Sequence, residues 1–223
     1  MHRVIAETSL FLLLLFSLGN LASATMFTIE NRCSYTVWPG TLAGNGAAVL
    51  GDGGFPLPTG TSVRLAAPAG WSGRCAGGMK CTGGGVPPVT LAEFTIGTGS
   101  AQDFYDVSLV DGYNVAMGVR ATGGTGNCQY AGCVTDLNGK CPTELQVTAE
   151  GGSIVACKSA CAAFNAAEFC CTGEYSTPQT CKPTQYSEIF KSACPSAYSY
   201  AYDDATSTCT CSASDYVITF CPN

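Results

Sequence analysis

The carboxylates of this chain are few enough to weigh one by one. Its 223 residues include Asp+Glu 16, Lys+Arg 10 and a single His, and charged residues make up only 12%. Glu93 sits in an apolar stretch between Leu91-Ala92 and Phe94. Asp106 is flanked by Tyr105 and Val107, and Asp111-Gly112 follows as a turn signal. Carboxylates gathered in one apolar setting repel, so at least one holds a proton near neutral pH. Two at suitable spacing are the minimum equipment for glycoside hydrolysis. Glu93, with the most apolar neighbours, is the expected proton holder, with Asp106 or Asp203 as its ionised partner. Plainer roles compete. Asp111-Gly112 is a common turn pair, Glu93 suits a strand residue paired with Arg74 or Arg120, and Asp203-Asp204 suits a solvated loop.

Other chemistries are excluded early. Residues 1–24 read as a secretory signal peptide: Arg3, an apolar run Leu10–Leu18, then the small residues Ala22-Ser23-Ala24. The run is too short to span a bilayer. Cleavage is expected before Thr25, giving a secreted, extracellular protein. It removes Arg3 and Glu7, so the net charge stays at −6, and it removes His2, the only histidine. The mature chain then has no Ser-His-Asp or Cys-His pair and no His-containing zinc site. The negative balance, with no Lys/Arg cluster, argues against nucleic acid and anionic lipid. No GxGxxG before a helix, P-loop or EF-hand pattern occurs, and no cofactor is expected.

All 15 cysteines lie after the signal segment. Export makes disulfides the default, and no paired C-x-x-C knuckles suggest a metal. Adjacent Cys170 and Cys171 are expected to staple different segments. The odd count leaves at least one thiol over, with Cys209 and Cys211 as candidates.

Strands must position the carboxylates. Alternating stretches are Phe27–Glu30, Tyr35–Trp38, Thr61–Leu65, Thr90–Ile96, Phe104–Val110 and Tyr113–Val119, with Tyr216–Phe220 closing the chain. A short loop between Thr90–Ile96 and Phe104–Val110 would set Glu93 beside Asp106 on one sheet face. Residues 70–89 read as a stapled loop. Ala156–Phe169 and Tyr186–Ala193 are helix candidates. Tyr35, Trp38, Phe94, Phe104 and Phe220 are expected in the core and Trp71 on the surface. Tyr198, Tyr200 and Tyr202 alternate, so one face can line a cleft. The expected fold is mainly β. A β-sandwich core (25–127 plus a terminal strand, 212–223) carries a disulfide-rich, partly helical lobe (128–211).

Several blocks together resemble the thaumatin-like proteins, a plant defence family. They are Phe27–Cys33, Tyr35–Trp38, Gly70–Arg74, Pro87–Phe94, Asp103–Asn114, Gln179–Cys181, Tyr198–Asp204 and Tyr216–Pro222. Roughly twenty residues that the family carries between Arg74 and Cys75 are absent, with one two-cysteine staple. The resemblance implies the pairs Cys33–Cys221, Cys75–Cys81, Cys128–Cys211, Cys133–Cys194, Cys141–Cys157, Cys161–Cys170 and Cys171–Cys181, with Cys209 as the odd thiol. It also implies an acidic cleft built by Arg74, Glu93, Asp106, Asp111 and Asp203, with Asp204 a close rival for the last place. The implied role is a monomeric antifungal protein that binds fungal cell-wall β-1,3-glucan. A weak endo-β-1,3-glucanase using Glu93 and an Asp is one alternative, and a non-catalytic enzyme inhibitor or receptor ligand is another. A fungal membrane or a receptor protein is an alternative partner.

Overall fold

A computed structural model describes residues 24–44, 46–77 and 86–222. Residues 1–23 of the expected signal segment lie outside them, as does Cys81, and with it the expected Cys75–Cys81 pair. The strands are β1 (Thr25–Asn31), β2 (Pro39–Ala43), β3 (Ser62–Ala67), β4 (Ser72–Gly77), β5 (Leu91–Thr95), β6 (Asp103–Ser108), β7 (Met117–Thr125), β8 (Ala131–Gly132), β9 (Gln146–Thr148), β10 (Ile154–Cys157) and β11 (Cys209–Phe220). The helices are α1 (Ala160–Phe164), α2 (Ala167–Cys170), α3 (Gln185–Ala193) and α4 (Asp204–Ser207).

The fold is mainly β. The main sheet runs β2-β4-β5-β6-β11-β1-β3, and β7 pairs with β11 and β8. One strand joins its two halves. The first three residues of β11 pair with β6, and its later part lies between β1 and β7. Cys209–Cys211 thus belong to the sheet, not to the lobe. The sheet curls so that aromatic side chains from both halves meet inside. Phe27 of β1 lies 4.6 Å, ring to ring, from Phe94 of β5, and Tyr216 of β11 lies 5.0 Å from Tyr105 of β6. All four rings are buried, and burial of such area is the dominant folding term.

Several local expectations are corrected. Tyr35–Trp38 is not a strand; only Val37 bridges, to Leu57, because Pro39 starts the ladder. The stapled loop at 70–89 contains β4, whose groups are satisfied on both edges by β2 and β5. The Ala156–Phe169 helix is divided. Residues to Cys157 join a hairpin with β9, Ser159 caps α1, and Asn165 in the left-handed conformation ends it before α2. Trp71 is buried, its indole N–H donating to Ala48 O at 2.8 Å. Tyr35, Trp38 and Phe104 are exposed instead. Phe104 shares strand parity with Asp106, so it must leave the core with it.

Six disulfides staple the described residues: Cys33–Cys221, Cys128–Cys211, Cys133–Cys194, Cys141–Cys157, Cys161–Cys170 and Cys171–Cys181. Cys75 is buried in β4, and Cys209 is a buried free thiol.

Candidate functional site

Register builds the site. Arg74 on β4 is opposite Glu93 on β5, and Glu93 is opposite Asp106 on β6. Three charged side chains therefore stand in one row across the sheet, on the face away from Phe94. Directly opposed residues bring their Cβ atoms to about 5 Å. Arg74 Nε lies 3.4 Å from Glu93 Oε1, and both side chains are partly exposed. A groove of about 280 Å³ covers this row, with Thr95 and Phe104 in its walls.

The two carboxylates are not equivalent. Burial raises Glu93, Arg74 lowers it and Asp111 raises it again. Asp106 is pushed up to about 7, first by burial, then by Glu93 and Asp204, against a lowering by Arg74. Its Oδ1 is buried without a hydrogen-bond partner. The larger rise is at Asp106, which takes up a proton near neutral pH; Glu93 is raised as well, with Arg74 opposing the rise. Sequence neighbours misled here: the apolar Leu91, Ala92 and Phe94 describe the strand, while desolvation of a carboxylate depends on what packs over it. The Tyr198 hydroxyl bonds Asp204 Oδ1 at 3.0 Å and Thr208 Oγ1 at 2.5 Å; burial, with the fields of Asp204 and Asp106, raises it to about 12 against a lowering by the Thr208 bond.

Asp111 sits at the turn after β6, where its field reaches Glu93. It lines a separate recess of about 170 Å³ beside Glu168, Lys182 and Tyr200 of the lobe. Asp203 does not join the row. Its Oδ2 accepts from Lys191 Nζ at 2.9 Å and from Ser199 N and Oγ, and its Oδ1 accepts from Thr206. Asp204 takes the place beside Asp106. Sequence reasoning missed Lys191 and the groove-lining role of Phe104. Strand parity with Asp106 was the available signal for Phe104; none marked Lys191.

The thaumatin family model matches residues 31–82 and 72–222. The chain belongs to the thaumatin family. A pathogenesis-related thaumatin-like protein 3.5 of Cryptomeria japonica is 57% identical over 91% of this chain and 92% of its own length. Pathogenesis-related protein 5 of Arabidopsis thaliana is 54% identical over 98% and 99%. A Prunus avium protein named glucan endo-1,3-beta-glucosidase is 46% identical over the full length of both chains. The two family matches overlap at 72–82. In this thaumatin-family chain that overlap begins in a continuous strand. Arg74 and Cys75 are consecutive in β4, and the ladders to β2 and β5 run through them. Arg74 therefore keeps its register against Glu93.

Proposed function

We propose that this thaumatin-family protein is a secreted host-defence protein that binds fungal cell-wall β-1,3-glucan along the Arg74–Glu93–Asp106 row. The observation that carries the reading is the row itself: Asp106, which takes up a proton near neutral pH, beside Glu93 paired with Arg74, in an open groove next to exposed Phe104. Such a set offers donors and acceptors to sugar hydroxyls and an apolar face to a sugar ring. The disulfides support export, since they persist in oxidising compartments. The pathogenesis-related names of close relatives support the defence role.

A second reading is slow endo-β-1,3-glucanase action, favoured by the opposed carboxylate pair and by the printed name of the Prunus avium relative. Asp106 would donate its proton to the glycosidic oxygen. Glu93, its charge held by Arg74, would stabilise or attack the sugar carbon.

The deciding experiment is retention on insoluble β-1,3-glucan together with reducing-sugar release. Binding that weakens at least tenfold in a Glu93→Gln, Asp106→Asn double variant is expected. No retention, or retention the double variant leaves intact, would refute the glucan reading. Sugar release abolished by Asp106→Asn alone would establish catalysis.

A further inference from the structure

A second groove, of about 430 Å³, opens away from the carboxylate row. Its walls include the exposed rings of Tyr35 and Trp38 and the exposed Val155. Its polar side is built by Asn114, Asp136 and Asn138. Asp136 Oδ1 accepts from the hydroxyl of buried Tyr113 at 2.8 Å and from Asn138 N at 3.1 Å. These bonds orient the carboxylate and leave Oδ2 free to accept. Asn138 Nδ2 donates to Asn114 O at 3.2 Å, while Asn138 Oδ1 is buried with no hydrogen-bond partner. The field of Asp136 reaches the Tyr35 hydroxyl.

The chemistry of this lining selects a ligand class. Two exposed rings offer flat apolar faces. On the polar side the exposed Asp136 carboxylate accepts, and the Tyr35 and Thr36 hydroxyls donate or accept. Among the described residues no Lys or Arg lines the groove. A neutral sugar ring fits this lining, with its C–H face on a ring and its hydroxyls on Asp136 Oδ2 and on the Tyr35 and Thr36 hydroxyls.

We infer that the Tyr35–Trp38 groove is a second binding site, for a neutral saccharide, distinct from the carboxylate row. β2 begins at Pro39, which pairs with Gly77, whereas Arg74 pairs with Leu42 further along the same ladder. The two sites thus lie about 10 Å or more apart along β4. The inference does not rest on the glucan reading of the row.

Trp38 and Trp71 are the two tryptophans, and Trp71 is buried with its N–H bonded. The two indole N–H signals in an NMR spectrum therefore separate groove from core, and Trp38→Phe assigns them. The probes are laminarihexaose, cellohexaose, xylohexaose and chitohexaose. At least one should move the Trp38 signal saturably and leave Trp71 in place. Tyr35→Ala and Asp136→Asn should each weaken that binding about tenfold, whereas Glu93→Gln should leave it unchanged. Tyr35 and Asp136 are surface residues, and Asp136→Asn keeps an oxygen to accept from the buried Tyr113 hydroxyl. A Trp38 signal that no probe moves, a response both groove variants leave intact, or one that Glu93→Gln abolishes would overturn the inference.

Discussion

Glu93 and Asp106 stand opposite each other on β5 and β6, and the only cation in their row, Arg74, pairs with Glu93. The asymmetry follows from strand order. β5 lies between β4 and β6, so Glu93 meets Arg74 directly while Asp106 meets it across Glu93. Both carboxylates are raised by burial, and Arg74 opposes the rise more directly at Glu93 than at Asp106.

That asymmetry makes stability pH-dependent. Asp106 rises from an ordinary 3.8 to about 7 on folding. Between those values the folded chain keeps a proton that the unfolded chain releases, so stability falls as pH rises through this window. Asp106→Asn should match the parent near pH 4 and exceed it above pH 7, by on the order of 2–4 kcal/mol. Denaturant midpoints across pH test this; a parallel pair of pH curves would refute it.

Arg74→Ala should move the titration of both carboxylates to higher pH, because Arg74 lowers each of them. Carboxyl carbon shifts followed by NMR would report it. Midpoints that stay in place would show that solvent screens the pair completely.

The adjacent Asp203 and Asp204 should separate cleanly. Asp203→Ala leaves the partly buried Lys191 ammonium without its counter-charge, and should cost about 1–3 kcal/mol of stability. Asp204→Asn should leave stability nearly unchanged and lower the Asp106 titration, since Asp204 helps raise it. Thermal melts and the Asp106 titration of both variants check this; equal melting of Asp203→Ala and the parent would contradict it.

Cys209 is 3% exposed, and burial followed by the field of Asp106 raises its thiol. A thiol-alkylating reagent should therefore miss it in the native protein and label it once denaturant is added. The cysteines of the six bridges should stay unlabelled without reductant. Rapid native labelling of Cys209 would contradict the burial.

The mainly β class, the Gln185–Ala193 helix and the adjacency of Glu93 with Asp106 were legible because each rests on local signals. Alternation set the strands, apolar spacing marked the helix, and a short loop between two strands leaves few registers. The family blocks that carry the resemblance are likewise local text. What only the tertiary structure decided depends on what packs over a residue from distant segments. Trp71 is buried because Ala48 O accepts its N–H and Phe27 packs on it, although its neighbours read as an exposed loop. Asp106 is raised further than Glu93 because burial and the facing Glu93 act on it and Asp204 arrives from the far end of the chain. Asp203 and Asp204 are indistinguishable as adjacent aspartates, and Lys191 on α3 separates them by claiming the first. Desolvation and pairing are sums over neighbours in space, and the order of residues along the chain does not contain them.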